Sequence, residues 1–117
     1  MWPSVQTMAV EKIAGPLSSL DYRIRFAIAH RRLIDVTYQR FTRLAEPHDY
    51  GAQSGVDRLL IYQRRGPARP GYSSTGWRLL DVAKIESLTV LDETFQGSRG
   101  TQQQQHHNWD VVYARVK

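Results

Sequence analysis

The chain has 117 residues, of which 41% are hydrophobic. This is enough for one small domain with a core, and it excludes global disorder. Sixteen Lys and Arg against eleven Asp and Glu give a net charge of +5, which favours anionic partners such as nucleic acid or nucleotides. No cysteine is present, and the first 17 residues lack a cationic start followed by an apolar run, so we predict a cytoplasmic protein without disulfides, membrane span or secretion signal.

The N-terminal part is predicted to be a leader, residues 1–17, followed by one helix from Ser18 to Leu33. Ser18 is the expected N-cap. Apolar side chains recur at helical spacing and form one stripe: Leu20, Ile24, Ala27 and Ile28. Four arginines lie largely outside that stripe, either as a solvated face or as phosphate ligands: Arg23, Arg25, Arg31 and Arg32.

Five short strands are predicted after the helix. Ile34–Gln39 alternates apolar and polar residues, and Thr42–Tyr50 contains Pro47, which requires an edge, a bulge or a strand end. The other strands are Arg58–Arg64 and two apolar runs within Gly76–Phe95, joined by a tight corner at Asp81–Lys84. Gly51–Gly55 and Gly66–Gly76 are predicted loops, the second long enough to bind a ligand. The fold class is therefore mainly β (α+β), with a small barrel or sandwich after the helix.

The C-terminal part divides into a polar segment and a β segment. Residues 96–108 contain a Gln-rich run and are predicted to be a disordered, low-complexity linker after a domain spanning 18–95. Residues 109–117 recover β character, so Trp109–Val116 is expected to add an edge strand to the sheet or to pair with another chain.

Several of these stretches resemble the WYL domain family. They are IDVTY ending at Tyr38, RLAEPHDYG at Arg43–Gly51 and RLLDVAKI at Arg78–Ile85, and they occur in the family's order and spacing. The chain departs from the family on the third strand, where RLLIY replaces the Trp-Tyr-Leu triplet and only Leu60 matches. It also carries Asp81 where the family has an arginine, and residues 1–17 are too short for the helix-turn-helix domain that usually precedes a WYL domain.

The resemblance implies a helix followed by a five-stranded Sm-like (SH3-type) barrel. It also implies a regulatory role, in which the domain senses a nucleic acid or nucleotide and controls an attached or partner protein. Bacterial transcription regulation, DNA repair, phage defence and CRISPR systems are the settings of such domains. Lys84 and Arg78 match basic positions of the family's fourth-strand pattern.

The candidate ligand-binding residues are basic or aromatic side chains on or near the predicted strands. Arg78 and Lys84 are expected to converge on one phosphate, and the ring of Tyr38 is expected to stack on a base. Core packing is the alternative for the aromatic residues, including Trp77. The full set is Tyr38, Arg40, Arg43, His48, Tyr62, Arg64, Arg78 and Lys84.

The predicted function is a WYL-like regulatory or accessory domain that binds single-stranded nucleic acid or a nucleotide. The alternative is a protein-interaction or homodimerisation module without a ligand. Glu46 and His48 could support general acid–base chemistry in a hydrolase, but no nucleophile accompanies them, so we predict no enzyme. No metal-ligand spacing occurs, and no cofactor is predicted.

Overall fold

The structure of the chain, a computed structural model, describes residues 19–100 and 108–117. The described residues form one helix and six strands of a single antiparallel sheet. The elements are α1 (Leu20–Ala29), β1 (Arg32–Tyr38), β2 (Phe41–Gln53), β3 (Val56–Arg65), β4 (Gly76–Asp81), a 3-10 turn (Val82–Lys84), β5 (Ile85–Thr94) and β6 (Val111–Arg115).

Helix α1 is shorter than predicted. Ser19 caps it, because its Oγ accepts a hydrogen bond from the Tyr22 amide at 3.1 Å, whereas the predicted cap Ser18 lies outside the described residues. The helix ends at Ala29, and Arg31 takes a left-handed conformation (φ 52°) that turns the chain into β1. Leu33 therefore lies in β1, where it is buried. The helix is amphipathic as expected and packs against β1, β2, β5 and β6.

Strand β2 is the centre of the sheet. It pairs with β3 along one edge, while β1 and β6 pair with successive parts of its other edge. Its register with β3 shifts between Pro47 and Asp49, so His48 is a bulged residue. Of the three alternatives predicted for Pro47, an edge, a bulge or a strand end, the structure therefore shows a bulge next to it. The predicted loop from Gly51 is wrong at its start, because residues 51–53 stay extended and pair with β3, residues 51 and 52 also pair with β6, and the turn begins at Ser54.

The predicted corner between the last two strands of the domain is confirmed as the 3-10 turn. The strand order is β4-β3-β2-β1-β5, so this turn joins the two ends of the order. In a flat sheet those end strands would lie about 19 Å apart, whereas the peptide units from Asp81 to Ile85 reach at most about 14 Å. The sheet must therefore be strongly curved. β4 and β5 do not pair, so the sheet is not closed and the predicted barrel is not confirmed.

The core joins the buried face of α1 to side chains from the strands. Ile24 and Ile28 of the helix meet Ile34, Leu59 and Leu88, all at most 3% exposed. The mainly β class with one helix is confirmed. Within the described ranges, no helix has the length and apolar character needed to cross a membrane.

Candidate anion-binding cleft

A cleft of about 800 Å³ lies beside the start of β2 and β4 and under the loop of residues 66–75. We call it the arginine cleft, because three guanidinium groups and no carboxylate are among the described residues that line it. The lining residues are Gln39, Phe41, Arg43, Pro67, Ala68, Arg69, Pro70, Tyr72, Ser73, Thr75, Trp77 and Arg78.

Arg43 of β2 is the most buried of the three cations, at 6% exposure. Its Nη1 donates to Gln63 Oε1 at 3.0 Å and its Nη2 donates to the Tyr38 carbonyl at 3.3 Å. The Nε–H has no partner, and no carboxylate pairs with the guanidinium, among residues 19–100 and 108–117. Burial, assisted by the nearby charge of Arg78, lowers the pKa of Arg43. The cleft thus contains a buried cation that no carboxylate of the described residues neutralises.

Gln63 of β3 connects this cation to the loop above it. The side chain is fully buried, and its Nε2 donates to the carbonyls of Pro67 (3.0 Å) and Ser74 (2.8 Å) while its Oε1 accepts from Arg43. One amide therefore holds both ends of the loop and orients the guanidinium. Sequence reasoning missed Gln63, although period two places it on the face of Leu59 and Ile61, where a polar residue is unexpected.

The other two cations lie on the walls of the cleft. Arg78 donates from Nη1 to the Trp77 carbonyl at 2.9 Å and from Nη2 to the Ser73 carbonyl at 3.0 Å. The guanidinium of Arg69 lies 5.2 Å from the centre of the Tyr72 ring. In the described part of the chain, neither cation forms an ion pair with a carboxylate. The cleft therefore concentrates positive charge.

Aromatic rings complete the lining. Phe41 and Tyr72 are 56% and 69% exposed, while Trp77 is half-buried and makes edge contacts with His48 and Tyr62 at 4.8 and 5.3 Å. Exposed rings beside guanidinium groups are the combination that binds single-stranded nucleic acid. Sequence reasoning missed Phe41, Tyr72 and Arg69. The available signal was the position of Arg69 and Tyr72 in the long loop that we predicted to bind.

A second cluster surrounds the buried carboxylate of Glu46. It accepts hydrogen bonds from His48 Nε2 (2.8 Å), Arg64 Nε (2.9 Å) and Arg99 Nη2 (2.8 Å). Burial would raise the pKa of Glu46, but the bonds from the imidazole and the two guanidinium groups outweigh it and lower the pKa to about 2. Because an ionised carboxylate only accepts, His48 carries its proton on Nε2. The charge of Glu46 is thus paired with two guanidinium groups.

Arg99 lies in residues 96–108, the segment that we predicted to be a disordered linker. Its guanidinium stacks on Tyr62 with 3.6 Å to the ring centre, and Ser98 donates its amide to the Lys117 carbonyl. The first residues of the predicted linker, 96–100, therefore make defined contacts, because Glu46 supplies a partner that the sequence pattern does not reveal. The Gln-rich run at 101–107 lies outside the described residues.

The predicted site residues separate into groups. Arg43, Arg78 and Trp77 line the arginine cleft. Tyr38 does not line the cleft. It is 8% exposed, and its hydroxyl accepts a hydrogen bond from the Asp81 amide, so the ring belongs to the core and offers no surface for stacking. His48, Arg64 and Tyr62 belong to the Glu46 cluster. Arg40 lies in the β1–β2 turn, with its amide donating to Glu86.

The expected convergence of Arg78 and Lys84 does not occur. Lys84 does not line the cleft, and its Nζ lies 3.6 Å from Asp81 Oδ2 with the side chain 72% exposed. The prediction assumed that one extended run carries both residues, whereas the 3-10 turn interrupts the period of two before Lys84.

Comparison of the chain with protein-family models, curated proteins and solved structures found no match. The resemblance to WYL domains therefore stays a prediction.

Proposed function

We propose that this protein is a WYL-like regulatory or accessory domain that binds single-stranded nucleic acid or a nucleotide through the arginine cleft. The observation that carries the proposal is the buried guanidinium of Arg43, which pairs with no carboxylate of the described residues and is flanked by Arg69 and Arg78. The strongly curved sheet, whose end strands are joined by a three-residue turn, supports a small-barrel architecture of the kind the resemblance implies.

The energetics of Arg43 favour an anionic ligand. A buried charge without a counter-ion is unfavourable, and chains normally avoid it by ion pairing or by exposure. Here an incoming phosphate would supply the missing counter-charge. Guanidinium groups also match phosphate oxygens geometrically, with five N–H donors in a planar fork. The cleft is thus already arranged for phosphate.

The aromatic side chains favour a ligand with a base as well as a phosphate. Phe41 and Tyr72 expose more than half of their surface beside the cations, where water would otherwise contact apolar rings. Stacking of a base on such a ring contributes about 1–3 kcal/mol. A nucleotide unit joins both groups at the spacing of one sugar, which suits a cleft of about 800 Å³.

The test is a titration with a labelled single-stranded oligonucleotide at several salt concentrations. Arg78→Gln should weaken binding and lower the magnitude of the salt slope by about 0.7, because one fewer phosphate contact releases fewer counter-ions. Lys84→Gln is the matched control: it removes the same charge from outside the cleft and should leave affinity nearly unchanged. Tyr72→Ala should weaken binding by about 1–3 kcal/mol without changing the slope.

Two outcomes would contradict the proposal. One is no binding by the parent protein at low salt. The other is an equal effect of Arg78→Gln and Lys84→Gln, which would indicate attraction by net charge rather than by the cleft.

A second candidate, a protein-interaction module, is favoured by the edge of the sheet at β6. Val111 and Val112 are 51% and 42% exposed, and among the described strands β6 pairs only with β2. An open strand with exposed valines is a template for pairing with another chain. Sedimentation at several protein concentrations tests it: a constant monomer mass would argue against self-association through this edge.

A further inference from the structure

We propose that the arginine cleft recognises a terminal phosphate, the phosphomonoester at the end of a strand or on a free nucleotide, in preference to an internal phosphodiester. This inference rests on the proposed function and specifies the ligand group that the cleft selects. The shared chemistry of the possible ligands is a phosphate with more than one negative charge.

The charges in the cleft exceed what one phosphodiester can balance. Arg43, Arg69 and Arg78 line it, and none of the described lining residues is acidic. An internal phosphodiester carries one negative charge, whereas a phosphomonoester carries between about 1.5 and 2 at neutral pH. Because Arg43 is buried, its interaction with the added charge is screened less than at an exposed site. A terminal phosphate therefore gains more from this cleft than an internal one.

Donors in the cleft also suit the additional oxygen of a terminal phosphate. The hydroxyls of Ser73 and Thr75 line the cleft and contact each other at 2.9 Å. That exchangeable contact can be replaced by bonds to phosphate oxygens, since a hydroxyl both donates and accepts. An esterified phosphate presents one fewer charged oxygen to the same donors. The two hydroxyls therefore favour a terminal phosphate over an internal one, as the arginines do.

The size of the cleft is compatible with the same ligand. The loop is fixed beside Arg43 by the bonds from Gln63 to the carbonyls of Pro67 and Ser74. An open cleft of about 800 Å³ has the size of a small-molecule site, and it accommodates a chain end or a mononucleotide.

The experiment compares oligonucleotides of roughly ten residues, a length typical of single-strand sites. They share one sequence and differ only at the 5′ or 3′ terminus: hydroxyl, phosphate, or phosphate capped as its methyl ester. We expect at least tenfold tighter binding for a phosphate at one terminus and loss of that gain on capping. A nucleoside monophosphate, titrated alongside, distinguishes the sources: affinity equal to that of the phosphorylated strand identifies a free nucleotide as the ligand.

Variants assign the preference to the cleft. Arg69→Gln removes an exposed cation of the lining and should reduce the preference for the terminal phosphate at least threefold without affecting the fold. Arg65→Gln, an equal charge change at an exposed position outside the lining, should leave that ratio unchanged. Equal affinity for hydroxyl and phosphate termini would overturn this inference and leave the proposed function standing. Failure of all the oligonucleotides and the nucleotide to bind would overturn both.

Discussion

Arg43 and Glu46 are both buried and charged on strand β2, but their surroundings differ. Glu46 is matched by two arginines and an imidazole, so its charge is balanced inside the protein. Among the described residues, Arg43 has only neutral hydrogen-bond partners. Because an unbalanced buried charge is unfavourable, Glu46 is expected to stabilise the fold and Arg43 to bind an anion.

At Glu46 the expected consequence is a dependence of stability on pH. The pKa of the carboxyl is about 2 in the folded chain against 4.5 as its ordinary value. Its stabilising contribution is therefore complete above about pH 4.5 and is lost as the pH falls towards 2. Glu46→Gln should lower the free energy of unfolding at pH 7 by roughly 2–3 kcal/mol, allowing for the partly exposed arginines.

Urea unfolding at pH 7 and at pH 3 measures this effect. The difference between the parent and Glu46→Gln should shrink at the lower pH, because Glu46 is then protonated in the unfolded chain but still ionised in the folded one, and losing that proton on folding offsets part of its stabilisation. A difference that is the same at both pH values would show that the charge of Glu46 does not stabilise the fold.

Gln63 offers a direct test of the uncompensated charge. Gln63→Glu would place a carboxylate beside the guanidinium of Arg43 and neutralise its charge. The same change would remove the hydrogen bonds that Gln63 donates to the carbonyls of Pro67 and Ser74. Phosphate-dependent affinity should fall more than tenfold because the ligand is then no longer the only counter-ion available to Arg43. The control is Gln96→Glu, an equal charge change at an exposed position outside the cleft. Similar losses in both variants, with circular dichroism unchanged, would refute the role of Arg43.

At the scale of elements, the contact between β2 and β6 depends on the absence of a side chain at Gly51. A Cβ there would lie 2.1 Å from the Val111 carbonyl oxygen and 3.0 Å from the Trp109 ring. Gly51→Ala should therefore displace β6 and destabilise the protein by roughly 1–3 kcal/mol, as overpacking does.

Hydrogen exchange measures the displacement of β6 directly. The amides of residues 111–115 should lose protection in Gly51→Ala while those of β3 keep it. Gly55→Asn is the control, because the site is open and Asn tolerates the left-handed conformation there (φ 79°). Unchanged protection of β6 would mean that the two strands adjust around the methyl group.

At the scale of the whole molecule, ligand binding should raise thermal stability. A ligand that binds only the folded chain stabilises it by about 2.7 kcal/mol at one hundred times its Kd. For a domain of this size the melting temperature should then rise by roughly 10 °C. Arg78→Gln, tested at the same ligand concentration, should show a smaller rise in proportion to its lost affinity. A rise equal to that of the parent would place binding outside the cleft.

The sequence by itself determined the local features of this protein. The helix near Ile24, the alternation in β1, the irregularity that Pro47 requires and the corner before Ile85 follow from residue spacing and backbone chemistry. It also singled out Arg43, Arg78 and the long loop, which the structure brings together in the lining of the arginine cleft. Each of these depends on interactions between residues that are close along the chain, which a pattern can record.

Only the tertiary structure decided which side chains meet. The hydroxyl of Tyr38 meets the amide of Asp81 at the end of β4, and Arg99 binds Glu46 across more than fifty residues of chain. Gln63 and Arg43 come together because β2 pairs with β3 and the loop closes over both. Whether a cation is neutralised or left for a ligand depends on distant carboxylates, and Coulomb interactions act through space rather than along the sequence. For this reason the sequence alone could not show whether a carboxylate pairs with Arg43, and the three-dimensional structure was needed.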